Sequence, residues 1–305
     1  MTIYVDIEKI LKDNKLFWQY PVCTEKKFYL QNKEDISYLG FPWATMIDSG
    51  VNYRAIAELA SLIDADREYY TCCQHIYFRD FALLFSDLNI KTVYTPHKEI
   101  GEDVIEGIDL LPCPLYAVNV EDPQRNAHFQ GQDFMENKRD LLFSFIGYYR
   151  ENYLSDVRAK ILNLKDDEGQ IEKLENWHFE EIVYSSKQNY DNRYDPSQSH
   201  EERTGKYNQT LLNSRYSLCP SGAGPNSIRF WESLAVGAIP VLLADTLELP
   251  KHDLWNEAIL RVKEDEVESI PDLLKSISEK EERERRAKCL EIYSFYRNNY
   301  KNDKS

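Results

Sequence analysis

Apolar side chains recur along this chain with two distinct periods. Ile228, Trp231 and Ala235, with Phe230 and Leu234 beside them, fall three and four residues apart, which predicts a helix over about 226–236 with Gly237 as its stop. The unbroken apolar run Ile239 to Leu243 behind it predicts a short buried strand. In the first half, the pattern gives a strand over Phe41 to Asp48, an amphipathic helix over Tyr53 to Ile63 and a strand over Tyr69 to Cys73. A helix over Tyr77 to Leu88 and a strand over Lys91 to Thr95 follow, and Leu141 to Ile146 reads as a further strand. Strands alternating with helices imply parallel sheets, and in such sheets ligands gather beyond the carboxyl ends of the strands.

The glycine-rich turn between Leu218 and the 226–236 helix carries the chemistry. Gly222 and Gly224 can take backbone angles closed to other residues, so the backbone can approach a ligand closely, and Pro225 and Asn226 suit a first helical turn. Unpaired amide N–H groups at a helix start, helped by the helix dipole, favour a diphosphate without any metal. Ser221, Gly222, Gly224 and Asn226 are the backbone candidates, and Ser227 and Arg229 can add side-chain donors. Glu232 sits too far along the helix to touch phosphate and is placed to accept hydrogen bonds from ribose hydroxyls. The competing structural reading makes Arg229 and Glu232, three residues apart, a surface ion pair worth a few tenths of a kcal/mol.

The segment resembles the donor-site signature of the exostosin-like glycosyltransferases. Ser214, Arg215, Leu218, Pro220, Gly222, Ser227, Arg229, Glu232, Gly237, Ile239, Pro240 and Val241 follow the family pattern, with Tyr216 standing where a Phe is usual. Asp245, Leu249-Pro250 and Trp255 continue it downstream, and Phe143-Ser-Phe-Ile-Gly147 followed by Arg158 continues it upstream, so that the likeness covers 141 to 275. It implies a GT-B fold, in which two Rossmann-like domains face each other across a cleft, and an inverting transfer of sugar. The donor would be a nucleotide-diphosphate sugar, UDP-linked in preference to GDP-linked, and the acceptor a glycan hydroxyl. The expected division is an acceptor-binding domain over 1–136, a donor-binding domain over 137–285 and a C-terminal helix over 286–305 that packs back onto the first domain. Gln74-His75-Ile-Tyr-Phe-Arg79 and Thr95-Pro96-His97 are similar to bacterial and viral members of the group.

The first domain supplies candidates for a catalytic base. Asp48, His75 and His97 each fall at a predicted strand end, and a carboxylate or an imidazole can take the acceptor's proton near neutral pH. Each has a plain structural alternative: Asp48 can cap the next helix, and either histidine can be a satisfied loop residue. Gly147 would leave space at the cleft, and Arg150 or Arg158 would neutralise the leaving diphosphate. The polar, aperiodic stretch Ser185 to Lys206 reads as a lid, with Arg203 and Lys206 as phosphate contacts, and Arg79 as either an acceptor contact or a salt bridge.

Composition narrows the class. Fifty-two acidic against thirty-seven basic side chains, a net charge of -15, oppose binding to nucleic acid or to anionic lipid. No apolar run reaches the roughly 20 residues of a membrane span, and the first residues lack the blocks of a signal peptide, so a cytoplasmic protein is expected, at most peripherally associated with a polysaccharide assembly system. Six cysteines without a Cys-x-x-Cys pair suggest reduced thiols, with Cys219 a buried hydrophobe rather than a nucleophile. Asp64-Ala-Asp66 has the spacing of a metal motif but closes a helix, so no metal and no cofactor are expected beyond the donor itself. The alternatives are a non-catalytic nucleotide- or glycan-binding protein of the same fold and a sugar-nucleotide epimerase.

Overall fold

The structure, a computed structural model, describes residues 7–190 and 196–301. The first six residues, positions 191–195 of the expected lid and the last four residues lie outside the described residues.

Two sheets organise the chain. In the first, β1 (Tyr69–Cys72), β2 (Ile90–Thr95) and β4 (Ile108–Pro112) run parallel, and the two-residue β3 (Val104–Ile105) closes the edge antiparallel to β4. All four residues of β1 are buried, as a parallel strand covered on both faces requires. Helices α1 (Ile7–Asp13), α2 (Thr24–Asn32), α3 (Trp43–Ser49), α4 (Tyr53–Leu62) and α5 (Ala82–Asp87) belong to this half. Its core holds Phe28, Phe41, Trp43, Phe78 and Phe85, and the buried indole of Trp43 is satisfied by Thr71 Oγ1 at 2.8 Å.

The second sheet is parallel throughout. Its strands β5 (Leu141–Gly147), β6 (Gly169–Lys173), β7 (Ser214–Pro220), β8 (Ile239–Leu243) and β9 (Leu260–Arg261) lie in the order β6-β5-β7-β8-β9. The chain steps from β5 out to β6 and returns to the other side of β5 as β7, so the strand order reverses there and opens a crevice beyond Gly147 and Pro220. Helices α6 (Val118–Glu121), α7 (Val157–Asn163), α8 (Glu180–Val183), α9 (Gln198–Leu212) and α10 (Ile228–Val236) precede β8, and α11 (Trp255–Ala258), α12 (Ile270–Ser276) and α13 (Glu279–Arg297) follow it. Residues Phe230 to Val236 of α10 are all buried, so this helix is the centre of the second half rather than its surface. Gly237 ends it in the left-handed conformation, at φ 67°, with the Arg286 stem packed where a side chain would stand.

Four expectations change. Phe41 to Asp48 is not a strand: α3 begins at Trp43 behind Pro42, and the apolar run Trp43 to Met46 is short enough to suit either element until packing decides. Tyr77 to Leu88 divides into a 3-10 turn, Phe78–Phe81, and α5. Arg203 and Lys206 belong to a fifteen-residue helix, not to a lid, because α9 starts at Gln198 with Ser197 Oγ accepting from the His200 amide. The C-terminal helix expected over 286–305 begins earlier: α13 runs unbroken from Glu279 to Arg297 and buries Glu282, Arg286, Cys289, Ile292 and Tyr296.

A seam joins the halves beside β2. Glu99 and Leu247 form an antiparallel bridge, flanked by the Ile100 amide on Thr246 O at 2.8 Å and the Glu248 amide on Lys98 O at 3.0 Å. The Lys98 ammonium, almost wholly buried, pairs with Glu248 and with Asp103. Farther on, Asn226 Nδ2 donates to Pro96 O at 2.8 Å, tying the glycine turn to the end of β2. At the other end of the chain, the hydroxyl of Tyr293 on α13 donates to Glu121, and Tyr300 is buried in the first core.

Candidate active site

The carboxyl ends of β1, β2, β5 and β7 converge on a cavity of about 360 Å³, and all but one of the catalytic and donor-binding candidates named from sequence line it. From the first half come Asp48, His75 and His97; from the second come Gly147, Arg150 and Arg158, the turn residues Gly222, Gly224, Asn226 and Ser227, and Arg229 and Glu232. Ser221 is the exception, with its hydroxyl donating to Glu264 away from the cavity.

The glycines serve space rather than angle. Neither Gly222 nor Gly224 has a positive φ; a Cβ at Gly222 would stand 2.9 Å from the Arg158 guanidinium, and one at Gly224 would stand 2.6 Å from Ile76 Cγ2 and 2.9 Å from His97 Nδ1. Gly147 likewise leaves room, not for a ligand but for the Phe145 ring, whose Cζ would be 2.5 Å from a Cβ there. Helix α10 starts at Ile228, later than the sequence pattern suggests, because Asn226 is used up in holding the turn: its Oδ1 accepts from the Ser227 amide and from Trp231 Nε1 while its Nδ2 reaches Pro96.

Two arginines of the cationic wall are held by backbone carbonyl oxygens rather than by carboxylates. Arg158 donates to Ser221 O at 2.7 Å and to Tyr148 O at 3.1 Å, and Arg229 donates to Leu218 O and Ile146 O with its guanidinium 4.5 Å from the centre of the Phe145 ring. Neither makes an ion pair among the described residues, so both charges remain for an anion. Burial brings Arg158 down to about 10, helped by the nearby Arg229 charge, and leaves it a cation at neutral pH. Arg150 is exposed, and its guanidinium lies over the Tyr148 ring with no hydrogen bond from it among the described residues. Arg203 and Lys206 also face the cavity from α9, but they pair with Glu181 and Glu172. Arg79 forms a salt bridge with Glu99 and Glu102 and does not line the cavity.

Glu232 and Arg229 form no ion pair, which removes the bland reading of that spacing. The Glu232 carboxylate is 2% exposed and accepts from the Asn119 amide at 2.8 Å and from the Tyr207 hydroxyl at 2.7 Å. Burial raises its pKa, and these two donors and the Arg125 and Arg229 charges oppose the rise. Each carboxylate oxygen keeps a second lone pair that a ligand hydroxyl can use.

On the facing side, His75 Nε2 lies 3.0 Å from Asp48 Oδ1, with both side chains largely sheltered, and Gln19 Nε2 donates to Asp48 Oδ2 at 2.5 Å. The Tyr77 amide donates to His75 Nδ1 at 3.1 Å, which puts the proton of the neutral imidazole on Nε2, facing Asp48. His97 differs. Burial pushes its pKa down to about 3, its Nδ1 has no hydrogen-bond partner, and it stays neutral against the glycine turn. A group so reluctant to hold a proton is a poor general base. Cys219 is pushed up to about 11 by burial and remains a thiol, as its place in the core suggests.

Several participants left no trace in the periodicity. Tyr207, Asn119, Gln19 and His178 line the cavity, and Arg125 lies behind them, donating to Asn119 Oδ1 at 2.7 Å and to the stacked pair His178 and His200. The His200, Thr204, Asn208 spacing on α9 was the one available signal: a polar stripe at helical intervals. Asp64 and Asp66 lie outside the cavity in the turn after α4, and among the described residues no group of three or more His, Cys, Asp or Glu side chains could hold a metal ion. Among the described residues, no helix is long and apolar enough to cross a membrane.

The chain is similar to known proteins over part of its length. Exostosin-1 homolog of Caenorhabditis elegans is 30% identical over 189 residues, covering 59% of this chain and 46% of that protein. Exostosin-1c of Danio rerio is 37% identical over 73 residues, 23% of this chain and 10% of that one. The probable glucuronoxylan glucuronosyltransferase IRX7 of Arabidopsis thaliana is 34% identical over 79 residues, 25% of this chain and 18% of that one. The chain thus spans less than half the length of these curated relatives. They are animal and plant proteins and lend no support to the expected bacterial or viral affinity. Residues 79–277, well over half of the chain and the whole of the glycine turn with α10, match the model of the Exostosin GT47 domain, and the chain belongs to that family.

Proposed function

We propose that this protein is an inverting glycosyltransferase of GT-B type that moves a sugar from a nucleotide-diphosphate donor to a glycan hydroxyl. The observation that carries the reading is one cavity with a carboxylate–imidazole pair on one wall and, on the other, three arginines that have no carboxylate partner among the described residues. The diphosphate rests at the glycine turn and the start of α10, and Glu232 accepts from the ribose hydroxyls. A UDP-linked donor is favoured, and the name of the plant relative puts UDP-glucuronic acid first among the donors to try.

Asp48 acts as the base. Both ring nitrogens of His75 are engaged, whereas the Asp48 carboxylate receives one hydrogen bond on each oxygen and has lone pairs to spare. It takes the proton of the acceptor hydroxyl as that oxygen attacks the anomeric carbon, while the bond from that carbon to the diphosphate breaks on the opposite face. Arg150, Arg158 and Arg229 receive the charge that develops on the leaving phosphate, so no metal is required for that role. On the acceptor side, Tyr77 and Tyr184 line the mouth of the cavity, 56% and 60% exposed, and offer ring faces to a sugar.

The test is transfer from UDP- and GDP-sugars to a panel of glycan acceptors by the purified protein and by its Asp48→Asn variant. Product with an inverted anomeric centre, lost in the variant, supports the reading. Binding of nucleotide with no turnover on any acceptor defeats it.

A further inference from the structure

We infer that Glu25 is a positioning residue for the Asp48–His75 pair, one carboxyl oxygen tying the start of the helix that carries Asp48 to the residue that precedes His75. The inference rests on reading that pair as the catalytic base, but its geometry stands without it.

Glu25, on α2, is 1% exposed. Its Oε1 accepts from the Ala44 amide at 3.1 Å and from the Gln74 amide at 3.0 Å, and its Oε2 lies 3.3 Å from the Ala44 amide. Ala44 is the second residue of α3, where an amide has no acceptor within its own helix, and Asp48 lies one turn further along the same face. Gln74 follows β1 directly before His75. The two residues of the pair come from segments 27 positions apart, and a single oxygen holds both backbones.

A second route reaches Asp48 from the same place. Gln74 Oε1 accepts from the Glu25 amide at 2.9 Å, and its Nε2 donates to Val22 O at 2.7 Å and to Gln19 Oε1 at 3.4 Å. Gln19 then donates to Asp48 Oδ2. One route thus sets the helix under Asp48, and the other sets the amide that orients its carboxylate.

The setting argues for use rather than filler. Burial pushes Glu25 up to about 8, the Gln74 and Ala44 amides and the Cys73 thiol oppose the rise, and the Asp48 charge adds to it; Cys72 and Tyr38 also lie within its field, and none of these titratable groups is a cation. A carboxyl kept there at such cost does something a hydrophobe cannot, and the two amides on Oε1 are that something.

The test compares Glu25→Gln, which keeps an acceptor in place of Oε1, with Glu25→Leu and Glu25→Asp, which remove or withdraw it. The first readout is the His75 Nε2–H resonance of the ¹⁵N-labelled full chain, and the second is kcat set against donor KM. Positioning predicts that Gln keeps the resonance and stays within a few-fold of wild-type kcat. Leu and Asp should lose the resonance and about 100-fold in kcat, with UDP affinity and donor KM unchanged. The inference is overturned if either Leu or Asp folds and keeps both the resonance and kcat. It is equally overturned if both fail to fold, since Glu25 then serves the core alone. Retained transfer in Asp48→Asn would remove the catalytic reading of the pair and leave the resonance test standing.

Discussion

Gly222 leaves empty the place where a methyl group would press on the guanidinium of Arg158 at 2.9 Å, so the glycine turn and the buried arginine are fitted to each other. Arg158 is held by two carbonyl oxygens and cannot swing aside without losing them. Gly222→Ala is expected to weaken UDP binding about tenfold, ~1.4 kcal/mol, with little change in melting temperature. Calorimetric titration of wild type and variant with UDP measures it; equal affinities would separate the turn from the anion.

Asp48→Asn keeps the shape of the carboxylate and removes its basicity. Transfer should fall by about 10²–10⁴-fold in kcat while donor KM and UDP affinity hold, because the loss is confined to proton removal. His97→Gln should cost far less, since burial pushes the His97 pKa down to about 3 and makes it a poor proton acceptor. Steady-state kinetics on the two variants distinguish the candidates.

Glu232 is braced by Tyr207 and Asn119 before any ligand arrives. Replacing it with Ala removes the ribose acceptor and also leaves two buried donors unpaired, at about 1–3 kcal/mol each. The variant should melt lower and should bind UDP and 2′,3′-dideoxy-UDP equally weakly, whereas the wild type should prefer UDP. A wild type indifferent to the hydroxyls would take the ribose out of Glu232's reach.

Stability should respond to pH in two opposed ways. Glu25 is raised from its ordinary 4.5 to about 8, so its contribution is full below 4.5 and is lost as the pH climbs towards 8. His97 and His200 are lowered from 6.5 to about 3 and about 4, so their contributions are full above 6.5 and are lost as the pH falls towards those values. Glu25→Gln should therefore melt above wild type by a margin that grows from pH 5 to pH 9. A margin independent of pH would mean that Glu25 does not titrate in that window.

Transfer is expected to survive EDTA, because protein cations meet the leaving group. Activity lost to the chelator and restored by Mn²⁺ would assign that charge to a metal instead.

The second half was the more legible because its signals are local. The strand Ile239 to Leu243 has the bounds that its apolar run suggests, and Gly237 ends α10 in a conformation that favours glycine. The run from Phe41 was ambiguous at its length, and Glu25 and Pro42, which help to make it a helix, are not part of any periodicity. Helix α9 was hidden for a different reason. It buries His200, Thr204 and Asn208, so its inward stripe is polar and carries no hydrophobic signal. The same holds for the cavity: residues on the glycine turn announce themselves by type and spacing, whereas Gln19, Asn119 and Tyr207 reach it only through the tertiary fold.

If the two halves open, the seam at Glu99 and Leu247, with the buried ammonium of Lys98 beside it, would serve as the pivot and would resist their sliding along it. Points near a pivot move least, and the glycine turn is itself tethered close by, through Asn226 to Pro96. A small opening angle would thus widen the tyrosine-lined mouth well before it loosens the diphosphate seat, and the elongated saccharide would depart before the spent nucleotide.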